Sequence, residues 1–389
     1  MVNPTTSPYS LKKTGGLSDQ YYMAQALRLA ERGLWSTDPN PRVGCVIVRD
    51  GEIVGEGWHQ VAGEPHAEIH ALRMAKDKAA GSTCYVTLEP CCHYGRTPPC
   101  TDALIKAGIT RVVVAMTDPN PLVSSKGIEQ LLKAGVIVDT GVLSHEAEQL
   151  NPGFFMRMRH NRPYIRGKMA MSLDGRTAMA SGESQWITSQ DARGDVQCLR
   201  ARSSAIMTGA GTVLADDPSL TVRETELPCY LQSKPSLVKQ PLRVIIDTHL
   251  SMPLNAKMLD LPGQTVIFTA SQNERLTTLL EKAGAHVIYM PGREREVDLN
   301  LMCQKLAEEY EVNELLMETG ATLNGAMLRA GLIDELIIYM APILMGNKAR
   351  GLFHLPDIEH LSQHIPLDIT EIRAIGCDWR IAVHPIYAR

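Results

Sequence analysis

The fold of this chain is decided by the stretch Thr87–Ile109, TLEPCCHYGRTPPCTDALIKAGI, read together with the upstream tripeptide His66-Ala67-Glu68. Apolar residues predict a buried strand over 84–88, which runs into the start of the stretch, and a helix over 101–107 near its end. The tripeptide opens a second predicted helix over 67–76. Strands that alternate with helices along a chain indicate an α/β layer architecture.

One imidazole and two thiols form a candidate metal site in this region. His66, Cys91 and Cys100 supply the nitrogen and sulfur ligands that zinc prefers, one ion per chain. Three protein ligands leave a fourth position for water, as in catalytic zinc sites. Glu68 can then take a proton from that water and pass it to a leaving nitrogen. His-x-Glu followed by Pro-Cys and a second cysteine is the signature of zinc nucleobase deaminases.

Other residues of the stretch compete for these roles. Cys92 and His93 are the nearest alternative ligands, and His93 could equally contact a substrate or lie in a solvated loop. Cys84, inside the predicted strand, is better explained as a core residue. Unrelated buried cysteines beside a surface histidine are the bland interpretation, but the three elements occur in the right order and structural setting for a metal site.

The α/β alternation continues on both sides of this stretch. In the first half we predict helices over 20–32 and 126–134, a hairpin joining 43–48 to 53–54 through Asp50-Gly51, and strands over 112–116 and 136–138. In the second half we predict strands over 164–171, 205–208, 243–247, 266–269, 286–289, 315–318 and 335–340, helices over 191–202, 299–310 and 323–330, and two more strands over 368–384.

Length and composition predict two globular domains. The chain has 389 residues, of which 44% are hydrophobic and 21% charged. The segment 151–163, NPGFFMRMRHNRP, carries proline, glycine and four basic residues and separates the two α/β sets. We therefore predict domains over 18–161 and 162–389. The Pro-rich stretch 217–240 predicts a long loop, functional or mobile.

Composition also excludes several classes of partner. A net charge of −4 with 5% aromatic residues argues against nucleic acid, and no apolar stretch reaches the ~20 residues of a membrane span. The N-terminal stretch 1–17 is polar, without the apolar core of a signal peptide. Nine scattered cysteines do not suggest a disulfide framework. These features predict a cytoplasmic protein.

Two glycine-containing segments of the second half stand at strand-to-helix junctions. They are 208–213, TGAGTV, and 318–325, ETGATLNG. Such junctions let main-chain N–H groups approach a phosphate, although any single one is more often an ordinary helix entry. No Gly-x-Gly-x-x-Gly motif opens a βαβ unit and no Lys-Ser/Thr follows Gly325, which disfavours a Rossmann dehydrogenase and a P-loop kinase.

The motif Thr87–Ile109, with Asn40–Gly44 and Gly57–His59, resembles the family of bifunctional riboflavin-biosynthesis proteins, which are fused pyrimidine deaminases and reductases. The Pro-Cys-x8-Cys spacing is that of the riboflavin branch, whereas the wider superfamily has Pro-Cys-x-x-Cys. The resemblance implies a cytidine-deaminase-like α/β/α domain in which Asn40 and His59 contact the pyrimidine and Arg96, a lysine in some relatives, faces the substrate phosphate. On the residues alone, Asn40 is also explained as a turn residue before a proline.

In the second half, the segments 170–175, 182–188, 208–218 and 318–325, in this order, resemble the reductase half of the same family. That resemblance implies a dihydrofolate-reductase-like α/β domain that uses NADPH. Implied cofactor-binding residues are Ala170, Trp186, Thr212, Asp216, Thr248, Gly320, Ala321, Thr322, Leu323, Asn324, Gly325 and Ala326. Implied substrate-binding residues are Ser184, Arg200, Leu220, Arg223 and Glu318.

Three basic residues of this half have roles that chemistry supports. Arg200 and Arg223 suit phosphate, because guanidinium offers paired donors. A solvated helix face for Arg200 and a solvated loop for Arg223 are the alternatives on the residues alone. Lys168, on the first strand, is the candidate to polarise the sugar carbon that receives hydride.

The resemblance implies two successive reactions and a homo-oligomer. The substrate is a small phosphorylated pyrimidine, 2,5-diamino-6-ribosylamino-4(3H)-pyrimidinone 5′-phosphate, which is deaminated at zinc before NADPH reduces its ribosyl group to ribityl. One rival hypothesis is a nucleic-acid or free-nucleotide zinc deaminase with an appended, non-catalytic nucleotide-binding domain. Another is a regulator in which one domain has lost activity and only binds pathway nucleotides.

Overall fold

A computed structural model describes residues 17–93, 98–120, 123–227 and 238–387. The chain forms two compact units, Met1–His160 and Asn161–Arg389. The polar N-terminal stretch, apart from residue 17, and part of the long loop predicted at 217–240 lie outside the described residues. In the described part, no helix is long and apolar enough to cross a membrane.

The first unit contains a five-stranded sheet in the order β2-β1-β3-β4-β5. Its strands are β1 (Gly44–Arg49), β2 (Glu52–Trp58), β3 (Thr83–Val86), β4 (Arg111–Val114) and β5 (Ile137–Thr140). Its helices are α1 (Leu17–Glu31), α2 (Ala67–Ala75), α3 (Cys100–Lys106), α4 (Lys126–Lys133), α5 (Ser144–Leu150) and α6 (Pro152–His160). Strand β1 is antiparallel to β2 and β3, whereas β3, β4 and β5 are parallel.

Helices cover both faces of this sheet. Buried residues of α2, α3 and α4 pack on one face with Cys84, and those of α1 and α5 pack on the other with Val46. The predicted α/β/α fold is confirmed, and Cys84 is a core residue as expected. The predicted hairpin is also confirmed, because Asp50 and Gly51 join β1 to β2 with the positive φ angles that a tight turn needs.

Most of the segment 151–163 forms α6, a helix that was not predicted from the sequence. Pro152 stands at the first helical position, where a missing N–H costs nothing. Phe154 and Phe155 are buried against Leu88. The basic residues mark the last turn of the helix, where they complement its dipole.

The second unit contains a nine-stranded sheet in the order β11-β10-β9-β8-β12-β6-β13-β16-β15, and a small pair β14-β7. The strands are β6 (Tyr164–Ser172), β7 (Arg176–Ala178), β8 (Ala205–Gly209), β9 (Leu242–Ile246), β10 (Thr265–Thr269), β11 (Ala285–Tyr289), β12 (Glu314–Met317), β13 (Glu335–Ala341), β14 (Arg350–Gly351), β15 (Leu367–Ile375) and β16 (Asp378–Pro385). The helices are α7 (Gln190–Arg202), α8 (Ala210–Asp216), α9 (Glu274–Lys282), α10 (Leu299–Glu309) and α11 (Ala321–Arg329).

Parallel strands place the ends of several predicted motifs at one edge of this sheet. Strands β8, β12 and β6 are neighbours and run in the same direction. Ligands of open α/β sheets bind outside the carboxyl ends of such strands. The register pairs Met317 of β12 with Gly167 of β6, which puts Glu318 level with Lys168. Helix α9 and the β7/β14 pair were not predicted from the sequence.

Candidate active sites

Three elements of the first unit bring the candidate metal ligands together. His66 directly precedes α2, Cys91 lies in the loop after β3, and Cys100 begins α3. Their ligand atoms all lie within 4.8 Å of one another. His66 Nδ1 is 3.3 Å from Cys100 Sγ and 3.5 Å from Cys91 Sγ.

The donor set and its electrostatics fit zinc. Hydrogen bonding by the Cys100 thiol, helped by His66 and by the main-chain N–H of Cys100, outweighs burial and lowers the pKa of Cys91 to about 4. A thiolate is the form of cysteine that binds metal. Within the described ranges, this is the only group of three or more histidine, cysteine or acidic side chains with such spacing, and neither Cys92 nor His93 belongs to it.

Glu68 lies beside the ligands in the first turn of α2. Its side chain is buried, and burial raises the pKa of its carboxyl group above the ordinary value. The positive charge of His66 and the nearby Cys100 thiol act against this rise in the pKa. A buried carboxyl group next to a metal site can hold a proton under conditions in which an exposed glutamate would have lost it.

His59 and Asn40 form a hydrogen-bonded pair next to the ligands. His59 Nε2 lies 3.1 Å from Asn40 Nδ2, and its Nδ1 lies 3.3 Å from the carbonyl oxygen of Pro65. The amide and carbonyl partners require that Nδ1 carries the hydrogen and Nε2 accepts. Burial lowers the pKa of His59 to about 4, so the ring is neutral. The rings of His59 and His66 pack in a T-shaped arrangement, with their centroids 5.4 Å apart. Arg96 lies outside the described residues.

In the second unit, the two glycine junctions are neighbours. Gly209 precedes α8 and Gly320 precedes α11. A Cβ built on Gly320 would lie 3.9 Å from Thr212 Oγ1, and one on Gly209 would lie 3.6 Å from the Leu323 side chain. Main-chain N–H groups at the starts of both helices therefore share one edge of the sheet, an arrangement that suits a phosphate.

Two residues of the 320–326 turn face the protein interior. Asn324 is 2% exposed and donates to the carbonyl oxygen of Thr319 at 3.2 Å. A Cβ on Gly325 would lie 2.1 Å from the carbonyl oxygen of His354. These contacts hold the turn in place, and a direct contact of either residue with a cofactor stays a prediction.

A buried ionic cluster lies next to the glycine junctions. Arg200 donates to both carboxylate oxygens of Glu318, at 2.6 and 2.9 Å, and to the carbonyl oxygen of Thr221 at 2.9 Å. Lys168 Nζ lies 4.0 Å from Glu318. Burial would raise the pKa of Glu318, but Arg200 and Lys168 outweigh it and hold the pKa at about 2. Burial lowers the pKa of Lys168.

The remaining predicted residues occupy varied surroundings. Arg223 is exposed and paired with Glu226 at 2.6 Å, and Arg193 stacks on the exposed ring of Trp186. Further positions are Ala170 on β6, Ser184 in the loop before α7, Asp216 at the exposed end of α8, buried Leu220, and Thr248, whose carbonyl oxygen accepts from Thr269. Their roles stay predictions.

Two buried acids near the candidate metal site were not singled out from the sequence. Asp118 follows β4, and burial raises its pKa to about 6. Glu89, in the motif TLEPC, is bound by four main-chain N–H groups. An acidic residue directly before Pro-Cys was the available signal for Glu89.

Comparison with known families matches each half separately. The family described as the cytidine and deoxycytidylate deaminase zinc-binding region matches residues 17–116, and the RibD C-terminal domain matches residues 163–381. These matches, with the folds and the His-Cys-Cys centre, define the class: a zinc-binding deaminase domain joined to a reductase domain in one enzyme.

Similar proteins extend over nearly the whole chain. Riboflavin biosynthesis protein RibD of Escherichia coli (strain K12) is 52% identical over 93% of this chain and 98% of its own. A structure of Acinetobacter baumannii RibD, form 1, is 46% identical, covers 95% of this chain and 99% of that one, and has a TM-score of 0.87. A Thermotoga maritima structure, named as a diaminohydroxyphosphoribosylaminopyrimidine deaminase/5-amino-6-(5-phosphoribosylamino)uracil reductase, is 30% identical with the same coverage and a TM-score of 0.79.

The chain belongs to the RibD family of riboflavin biosynthesis proteins. It is a bifunctional deaminase and reductase of that pathway, as the sequence predicted, and neither the nucleic-acid deaminase nor the non-catalytic second domain is favoured.

Proposed function

We propose that this chain performs two successive reactions on one phosphorylated pyrimidine. The first unit hydrolytically deaminates 2,5-diamino-6-ribosylamino-4(3H)-pyrimidinone 5′-phosphate, and the second reduces the ribosyl group of the product to ribityl with NADPH. The printed name of the Thermotoga maritima protein, which pairs these two activities, supports the substrate class. The observation that carries the proposal is the convergence of His66, Cys91 and Cys100 within 4.8 Å beside buried Glu68.

In the first reaction, His66, Cys91 and Cys100 would hold the ion. Zinc with three protein ligands lowers the pKa of water and so supplies a nucleophile near neutral pH. Glu68 takes up the proton released by that water and delivers it to the departing ammonia, a task suited to a buried carboxyl group.

The pyrimidine ring is held by Asn40 in this proposal. The neutral imidazole of His59 accepts a hydrogen bond from the Asn40 amide nitrogen. This contact fixes the orientation of the amide, and so determines which of its atoms face the pyrimidine. Arg96 is proposed to face the substrate phosphate, in keeping with the family resemblance.

In the second reaction, the paired glycine junctions would hold NADPH. Thr212, Gly320 and the first turn of α11 support this assignment, because their main-chain N–H groups lie at one sheet edge. The nicotinamide supplies hydride when bound. Lys168, held near Glu318, is proposed to polarise the sugar carbon that accepts the hydride.

Arg200 and Arg223 are proposed to hold the substrate of the reductase with Ser184, Leu220 and Glu318. Arg200 already donates to Glu318, so its nearest effect is to orient that carboxylate towards the substrate hydroxyls. Arg223 is exposed and can exchange Glu226 for a phosphate at little cost, because surface ion pairs are weak.

The proposal extends to assembly and compartment. Exposed apolar side chains on the edge strand β15, Leu367, Ile369 and Ile372, support a homo-oligomer. The cysteines of the described residues are free, which suits a reducing compartment, and we propose the cytoplasm.

The decisive experiment supplies the diamino substrate with and without NADPH and identifies products by mass. Without NADPH, the expected product is the deaminated ribosylamino compound with one ammonia released. With NADPH, the ribityl compound should appear. NADPH oxidation that does not depend on the deaminated substrate would refute the reductase assignment.

A further inference from the structure

The buried acid Glu89 lies two residues before Cys91 and has no part in the chemistry above. Its side chain is 4% exposed. Four main-chain N–H groups donate to its two carboxylate oxygens at 2.9–3.2 Å, those of Asp118, Ser125, Gly127 and Ile128. A single side chain thus binds the segment after β4 and the first turn of α4.

The main chain beside Glu89 lies equally close to these elements. The N–H of Glu89 donates to the carbonyl oxygen of Met116 at 2.9 Å. A Cβ built on Gly127 would lie only 2.2 Å from the carbonyl oxygen of Pro90, so α4 is in tight contact with the residue directly before the ligand. The ligand residue Cys91 is also held by α3, because its carbonyl oxygen accepts a hydrogen bond from the N–H of Thr101 at 3.2 Å.

We propose that Glu89 is a positioning residue for the metal centre. By binding α4 and the segment after β4, it fixes the loop that carries Cys91, and so sets the distance of that sulfur from His66 and Cys100. The inference rests on the assignment of these three residues as zinc ligands.

The chemistry of the contact requires a carboxylate. Four N–H donors need an acceptor with about four lone-pair sites, and an ionised carboxylate is the side chain that offers these without any donor of its own. In Glu89→Gln one oxygen becomes an NH2 group, which would face two main-chain donors. The variant therefore loses two hydrogen bonds and gains a donor–donor contact, although its size is unchanged.

The test measures the metal site directly. Zinc affinity of the full chain is determined by competition with a chelator, and Co²⁺ is substituted to record its absorption bands, which depend on ligand geometry. The rate at which the second unit reduces substrate that has already been deaminated shows whether the rest of the chain is intact. Glu146→Gln, which makes the same change on an exposed side chain of α5, is the matched control.

The wild-type protein must first bind one Co²⁺ per chain and show the charge-transfer bands of sulfur ligands. If it does not, the assignment of His66, Cys91 and Cys100 as ligands is overturned. Glu89→Gln should then weaken zinc binding by about tenfold or more and shift the cobalt bands. A merely structural role would leave the bands of the folded protein unchanged. Wild-type affinity and bands in this variant would overturn the proposal.

A second variant covers loss of folding. Gly127→Ala keeps the carboxylate but pushes a methyl group against the carbonyl oxygen of Pro90. If circular dichroism shows that the first unit of Glu89→Gln has unfolded, weakened zinc binding by folded Gly127→Ala supports positioning. Wild-type binding by that variant, or unfolding of both variants, would mean that these contacts serve folding alone, and the proposal would be abandoned.

Discussion

Replacement of Glu68 by glutamine should abolish deamination without removing the metal. The side chain is buried in the first turn of α2, so glutamine fits the same space without a change in volume. The amide cannot accept and return a proton. General acid–base catalysis contributes roughly 10²–10⁴ in rate, or about 3–5 kcal/mol. Because one carboxyl group handles both the water proton and the ammonia proton, we expect a loss of about 10³–10⁴.

The assay for this variant measures ammonia release and zinc content on the same sample. Zinc should stay at one per chain, because Glu68 is not a ligand. Glu64→Gln, which changes an exposed side chain in the turn before α2, should deaminate at the wild-type rate. Deamination by Glu68→Gln within tenfold of wild type, at full zinc content, would show that another group moves the proton. Loss of zinc would instead show that Glu68 supports the ligands.

Three further predictions test other parts of the molecule. Cys92→Ser should keep one zinc per chain and Cys91→Ser should lose it; metal analysis showing the reverse would exchange their roles. Gly325→Ala should weaken NADPH binding, because a Cβ there would lie 2.1 Å from the carbonyl oxygen of His354 and displace the α11 turn; an unchanged Kd in a fluorescence titration would contradict this. Glu318 has a folded pKa of about 2 despite its burial, below the 4.5 of a free glutamate, because of its cationic neighbours. The contribution of the Glu318 carboxylate to stability is therefore complete above pH ~4.5 and is lost as the pH falls towards 2. In Glu318→Gln, the free energy of unfolding, measured with urea, should consequently fall less steeply with decreasing pH. An unchanged slope would contradict the lowered pKa of Glu318.

The cluster of candidate zinc ligands could be predicted because its signal is local. His66 directly precedes α2, Cys91 lies in the loop between β3 and α3, and Cys100 begins α3, and the apolar pattern predicts the order of these elements. The hairpin at Asp50-Gly51 was predictable for the same reason, since the turn residues themselves dictate the geometry.

The contacts that could not be predicted join residues that are far apart in the sequence. Glu89 meets N–H groups 29 to 39 residues further along the chain, and no pattern in the sequence marks a main-chain donor as free to be bound. Arg200 suggested a phosphate ligand from its chemistry, yet its principal partner is Glu318, 118 residues away. Helix α6 was not predicted, because a proline and a glycine at its start do not by themselves indicate a helix, although proline at a first helical position suits one.

The order of the metal ligands along the chain has a consequence for synthesis. All three precede residue 161, within the unit Met1–His160. N-terminal domains generally fold while the rest of a chain is still being made. We therefore expect the first unit to fold and to bind zinc while the strands of the reductase sheet are still being synthesised. We expect nascent chains stalled well beyond residue 160 to carry metal already, so that zinc shortage would act on the earliest folding step.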